Sequence, residues 1–428
     1  RQRNTDYRLN TDSKGNAFGA NLSYTEPLSN SVFLEMNYSY SSNKSKSDRK
    51  TFQYDTLAKA YNNVIDSLTN LFEYASVIHT GGTNFRGVGK KYNYQVGISV
   101  QQSVLENTDL SKSLFTRQHN RNLFSTASLY YQPTRTKNLR IGYRGNTVQP
   151  TSYQLQNVRD VTRYPYIYTG NPALRQEFVH NVQFSYNSFN TATFRNMSVS
   201  VYFNQTFDKI VNSLEQRQGG EQLAMPVNID GVYSVSGNIN YSIPINQRSS
   251  RNISINTGLD YNRDATVLNS KKNYADQLAL NADVVLNYAV NDYLDFSLSA
   301  AAAYNKIKYT LQDFTGDSYL SQNYSASISW QFLNGFTLAT DAAFNIYSGR
   351  TALYNQDYLL WNTMLSRSVF KNRNGELRLR VIDMLNNNIY LTRNITDNSI
   401  EDIQALTLRR FGMLSFIYNL RRNTARKD

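Results

Sequence analysis

The chain contains no cysteine, so it has neither a disulfide framework nor a cysteine metal site. It lacks any run of 18 or more apolar residues, which excludes a transmembrane helix. Histidine is nearly absent. His79, His119 and His180 are scattered, and none sits in a metal-ligand spacing such as His-x-x-x-His. A Gly-x-Ser-x-Gly elbow and a phosphate-binding glycine loop are both missing. Catalysis therefore has no support, and no cofactor is implied. Proline is scarce, at 7 in 428 residues, while tyrosine reaches 33 and phenylalanine 21.

Mean hydropathy is −0.55 with 40% apolar residues, which by habit would read as a soluble protein. Spacing gives the opposite reading. Tyr92, Tyr94, Val96, Ile98 and Val100 alternate with Asn93, Gln95, Gly97, Ser99 and Gln101. The same period of two recurs at Phe18–Tyr24, Leu34–Tyr40, Met197–Phe203, Tyr233–Ile243, Leu294–Ala302 and Tyr324–Phe332. Period two is the strand signature. When every second residue faces a wet lumen, low hydropathy with many aromatics is what a transmembrane barrel shows.

Short joins fall near 27–30, 89–91, 134–137, 188–195, 246–250, 290–292, 333–335 and 371–375. Longer polar segments lie between them, at 44–72, 106–120, 148–173, 213–226, 264–276 and 386–404. Short turns at one end and long loops at the other match an outer-membrane barrel with periplasmic turns and extracellular loops. The count is about 18 strands, with a lone strand at each end. Within the first long segment, Leu57, Tyr61, Val64, Leu68 and Leu71 recur at helical spacing. They predict a short helix near 56–72 with Asp55 as its N-cap. Tyr24, Tyr131, Tyr186, Tyr241, Tyr288, Trp330 and Phe332 sit near the short joins, where an aromatic girdle would lie.

The net charge of +13 gathers in turns such as Lys90-Lys91 and Arg135 with Lys137, not in a nucleic-acid motif. No nucleic-acid partner is expected, and membrane lipid is the natural anionic surface. Tyr153, Tyr164, Tyr166 and Tyr168 stand beside Arg159 and Arg163 in one long loop. Aromatic faces stack on rings and arginine reaches carboxylate or phosphate, so the loop is a candidate ligand cover. Tyr354, Tyr358 and Trp361 are candidates to join it. Asp397, Glu401 and Asp402 form a weak calcium candidate without the ligand spacing of a known loop.

The element Gly170-Asn171-Pro172-Ala173-Leu174-Arg175-Gln176-Glu177 leads directly into a strand. It resembles the loop-to-strand junction of TonB-dependent outer-membrane receptors, most closely the outer-membrane β-barrels of Bacteroidetes-type bacteria. Glu376 to Asn386 resembles their penultimate strand. The closing alternation Leu414, Phe416, Tyr418 and Leu420 resembles the terminal strand read by the barrel-assembly machinery. The resemblance implies an all-β, antiparallel up-and-down transmembrane barrel over residues 1–428, about 18 strands of a probable 22. A plug is absent from this stretch, and the opening Arg1-Gln2-Arg3-Asn4 reads as part of a longer precursor. It implies outer-membrane location, contact with lipid and lipopolysaccharide, a surface lipoprotein partner, and coupling to TonB through an upstream plug. The implied function is uptake of a small nutrient ligand. A plugless porin-like or structural barrel and a surface β-rich adhesin are the alternatives.

Overall fold

Alternating side chains fold here as strands because each strand presents one face to hydrocarbon and the other to water. The computed structural model describes residues 6–246, 251–311, 318–333, 335–349, 355–370, 374–395, 400–405 and 407–420. The first half contains β1 (Tyr7–Pro27), β2 (Val32–Asp55), β3 (Ala60–Val64), β4 (Asn70–Val88), β5 (Tyr92–Asp109), β6 (Leu114–Thr134) and β7 (Lys137–Val148). A one-turn helix α1 (Ser152–Leu155) then precedes β8 (Arg159–Arg163), β9 (Tyr166–Thr169), β10 (Glu177–Phe189), β11 (Asn196–Phe207), β12 (Lys209–Gln216) and β13 (Gln222–Ile229). The rest comprises β14 (Val232–Pro244), β15 (Arg251–Leu268), β16 (Lys271–Asn291), β17 (Leu294–Tyr309), β18 (Ser318–Phe332) and β19 (Phe336–Ser348). It ends with β20 (Asp357–Val369), β21 (Gly375–Ile382), β22 (Tyr390–Ile395), β23 (Ile400–Ala405) and β24 (Phe411–Tyr418).

One sheet holds 22 strands. Five of these, β3, β8, β9, β12 and β13, belong to connections. The other seventeen pair antiparallel with their neighbours in chain order as an up-and-down barrel sheet. That is one fewer than the turns suggest. Among the described residues the first hairpin takes in the expected lone strand, because residues 7–16 already belong to β1 and pair with β2. The short joins fall between paired strands where the sequence places them; residues 247–250, 334 and 371–373 of three of them lie outside the described residues.

Register confirms the two faces. Ile243, Ile253, Leu286, Leu298, Ala326, Ala342 and Trp361 line up across seven strands as one apolar row. The neighbouring row on the opposite face runs Asn240, Asn256, Asp283, Ala301, Asn323, Asn345 and Tyr358. That polar row is laced by hydrogen bonds, Asn256 to Asp283 at 2.8 Å and Asn323 to Asn345 at 2.9 Å. Val96, Ile98 and Val100 are 56%, 50% and 56% exposed, as lipid-facing side chains are in the isolated chain. Asn37, Asn84, Gln95, Arg144, Asn181 and Asn204 line a groove of about 890 Å³ on the other side. All seven girdle aromatics lie on the apolar face, where Tyr288 stacks on Phe296 and Trp330 on Phe332.

The long connections differ from expectation. β2 runs on to Asp55, and the predicted helix is replaced by β3, a 3-10 turn at Asp66–Leu68 and β4. Asp55 does collect backbone N–H groups, from Leu57 at 2.8 Å and Ala58 at 3.1 Å. It closes a tight turn rather than a helix, and Lys59 takes a positive φ of 49°. Leu57 is 95% exposed while Tyr61 packs against Tyr54, so the residues of the expected apolar stripe share no buried face. Segment 264–276 shrinks to a two-residue hairpin at Asn269 and Ser270, both with positive φ. Several strands, such as β1, β6 and β16 at 21 residues, exceed the roughly 9–11 needed to cross a bilayer. The asymmetry between the two ends is therefore one of strand height as much as loop length. Among the described residues, β1 pairs only with β2 in the main sheet and β24 only with β21, leaving two edge strands.

Candidate functional site

Far from the turns, the inner face changes character. Phe72, Tyr74 and Leu105 fall on the polar face of β4 and β5 and are buried there. Leu155 and Leu174, from the connection between β7 and β10, complete the cluster. That connection thus folds inward. Burying a side chain such as Leu174 is worth about 1.5–3 kcal/mol.

Polar contacts fix the same placement. Gln118 on β6 donates to the carbonyls of Pro172 and Leu174, at 3.2 and 3.0 Å. Gln176 donates to Asn122 at 2.8 Å. Arg49 on β2 meets Asp160 at 3.0 Å with its side chain only 4% exposed. Burial pushes the Asp160 carboxyl up. The Thr162 hydroxyl and N–H, with Arg49 and Arg163, outweigh it and hold the group below the usual carboxylate range.

The Gly170–Glu177 element works as a clamp. The Asn171 N–H donates to the Gln154 carbonyl at 2.7 Å, and its side chain donates to the Pro226 carbonyl at 3.0 Å. Asn228 accepts from the Arg175 N–H at 2.8 Å and donates back to the Arg175 carbonyl at 3.0 Å. The buried Glu177 accepts from the Ile210 N–H at 2.9 Å and pairs with Lys209 at 3.4 Å. The inward loop is thereby tied to the hairpin β12–β13. That hairpin lies parallel to β9 on one side and touches β15 on the other. Gly170 does not adopt positive φ. A Cβ there would sit 2.4 Å from the Gln156 carbonyl oxygen, so close backbone approach is the reason for glycine.

Tyr153 and Tyr168 stack at 4.6 Å and 8° between planes. Burial raises the Tyr168 phenol, reinforced by Tyr153 and Tyr166, and burial likewise raises Tyr153. Arg159, Arg163 and Tyr164 are exposed and Tyr166 is half-buried on the same hairpin. Those six candidates share one loop. Tyr354 lies outside the described residues. Tyr358 sits on the polar face of β20, opposite Asn345, and stacks on Tyr347 at 6.1 Å. Trp361 does not join them: it lies in the apolar row, three residues on and so on the other face, and donates to Thr340 at 2.8 Å.

The calcium candidate is described only in part. Asp397 lies outside the described residues. Arg393 donates to both Asp402 oxygens at 2.7 and 2.6 Å, with both side chains buried. Glu401 stands exposed, and no group of three or more acidic or histidine side chains able to hold a metal occurs among the described residues. In the terminal strand, Leu414, Phe416 and Tyr418 point to the apolar face opposite Leu379, Leu377 and Gly375. Leu420 follows the strand's end and is exposed. Sequence reasoning missed Arg49, Phe72, Tyr74 and Leu105. For Phe72, Tyr74 and Leu105 the signal is an apolar residue out of phase, as Leu105 is with Val96, Ile98 and Val100; Arg49 leaves none.

No curated protein sequence matches the chain. Among solved structures it is similar to the copper transporter OprC at 9% identity and a TM-score of 0.48, covering 97% of this chain and 69% of that one. It is similar to the RagAB peptide importer in its open-open state at 8% identity and a TM-score of 0.39, covering 88% of this chain and 58% of that one. The siderophore receptor PirA from Pseudomonas aeruginosa is similar at 11% identity and a TM-score of 0.34, with 89% and 71% covered. Residues 1–264 match the Outer membrane protein beta-barrel family. With the match running over more than half its length, on an antiparallel sheet with one apolar and one polar face, the chain belongs to that outer-membrane family.

Proposed function

We propose that the chain is the barrel of a TonB-dependent uptake system, with the β7–β10 loop as part of its ligand-capturing mouth. The observation that carries this reading is the loop's inward fold onto β2, β4, β5 and β6. The same loop carries the Tyr153–Tyr168 stack and the exposed Arg159 and Arg163. Stacked phenols offer flat faces to a ring, and the arginines offer forked donors to carboxylate or phosphate. The long-strand end faces the cell exterior and the short turns face the periplasm. An upstream plug and TonB, and a surface lipoprotein, complete the system. The barrel-assembly machinery inserts it through the outward Leu414, Phe416 and Tyr418. The captured ligand is a small nutrient.

The same inward loop also suits a passive pore, where it would narrow the lumen. Deleting residues 157–169 from the full-length protein separates the two. Energised uptake predicts that nutrient accumulation falls to background and that an uncoupler abolishes it in the parent. Uncoupler-insensitive accumulation, with higher conductance after the deletion, would overturn the transporter reading.

A further inference from the structure

We infer that Arg49 and Asn70 form a carboxylate site on the inner wall, held in reserve by Asp160, whose place an acidic ligand takes. The inference rests on the reading above in one respect, that the β7–β10 loop meets the ligand. Arg49 on β2 and Asn70 on β4 stand opposite one another in the ladder, in phase with the buried Phe72 and Tyr74. Both are covered, Arg49 at 3% and Asn70 at 0% exposure. Among the described residues, Arg49 Nε and Nη2 and both amide atoms of Asn70 have no hydrogen-bond partner. A buried charged donor without a hydrogen bond is costly, and Asp160 meets that need only in part.

The Asp160 Oδ2 approaches Arg49 Nη2 at 3.0 Å, a contact of charge without a hydrogen bond. Its Oδ1 accepts from the Thr162 N–H at 3.0 Å and the Thr162 hydroxyl at 2.6 Å. Those bonds lie within the loop, so they hold the carboxylate off the guanidinium and still satisfy it once it leaves. Nε and Nη2 project side by side from one edge of a guanidinium, the edge a carboxylate takes with both oxygens. A free carboxylate accepts from both, with the Asn70 amide beside it. Tyr153 lies close enough to feel the charges of Asp160, Arg49 and Arg163, and it stacks on Tyr168. A flat ring bearing a carboxylate therefore suits both features at once. Its arrival leaves the loop without its ion pair to β2.

The test titrates detergent-solubilised full-length protein with benzoate and with benzamide, its uncharged counterpart, and follows hydrogen exchange at the Gly170 amide. Benzoate is expected to bind roughly tenfold to a hundredfold more tightly than benzamide, as one charge-assisted hydrogen bond supplies, and to speed Gly170 exchange. Asp160→Asn removes the internal competitor and is expected to tighten benzoate binding by about tenfold. Arg49→Gln is expected to abolish the preference for benzoate. Equal binding of the two compounds by the parent, or none by either, overturns the inference even should the Arg49 variant fail to fold. A benzoate preference that survives in folded Arg49→Gln overturns it too, as does benzoate affinity unchanged in Asp160→Asn. None of these readouts depends on energised uptake. Their failure leaves the transporter reading standing, and uncoupler-insensitive accumulation leaves the carboxylate site standing.

Discussion

Truncating Leu174 to alanine isolates the contribution of the inward loop. Leu174 is fully buried against Phe72, Tyr74, Leu105 and Leu155. Removing such a side chain costs about 2–5 kcal/mol when the site cannot collapse. The sheet strands are held by their own backbone ladders, so the loss falls on docking of the loop rather than on the barrel. Hydrogen exchange reads that equilibrium directly. The Asn171 amide is protected by the Gln154 carbonyl and the Gly170 amide by the Gln156 carbonyl. Their exchange is expected to accelerate roughly thirtyfold to a few thousandfold in Leu174→Ala, up to the limit of a fully open loop. The Val201 amide, within the β10–β11–β14 ladder, is expected to stay unchanged. Unchanged exchange at Asn171 would refute the packing argument, and equal acceleration at Val201 would refute its locality.

Gly170→Ala forces a Cβ to 2.4 Å from a backbone carbonyl, so it is expected to undock the loop at least as far. Trypsin cleavage after the exposed Arg159 and Arg163 reports it, and parent-like resistance counts against the clamp. Asp160 has a lowered carboxyl pKa, so its contribution is complete above the ordinary value near 4 and is lost as pH falls through the docked value. The Gly170 protection factor, which corrects for the intrinsic slowing of amide exchange in acid, is expected to fall with acid in the parent and to lose that dependence in Asp160→Asn. Ile98→Lys, on the apolar belt, is expected to cost about 2–4 kcal/mol of folding stability in lipid, whereas Gln95→Lys on the polar face costs little. Comparable losses in the two would reverse the assignment of faces. With β1 and β24 each unpaired along one edge among the described residues, the 428-residue chain alone is expected to give no steady pore in a planar bilayer. A uniform single-channel conductance would contradict that.

What the sequence revealed and what it hid divide along a physical line. Membrane-crossing segments such as 92–100 were legible because hydrocarbon imposes strict alternation, and the turns because a hairpin has few ways to close. Beyond the membrane that constraint lapses. The stretches 44–55 and 264–276 lack the strict apolar alternation of the belt, so they read as loops, yet ladder hydrogen bonds keep them extended. The helical spacing at 57–71 was a coincidence of composition, since a helix there would need an apolar surface to cover. The site was half legible: its tyrosines and the glycine element stand out locally. Its floor did not, because Arg49, Phe72 and Leu105 come from three strands, and only the inward fold of the β7–β10 connection gives them a common neighbour. A single residue out of phase in an otherwise regular strand is the one local trace of such a contact. At Leu105 it marks where the inner wall stops facing water and begins to face the protein's own chain.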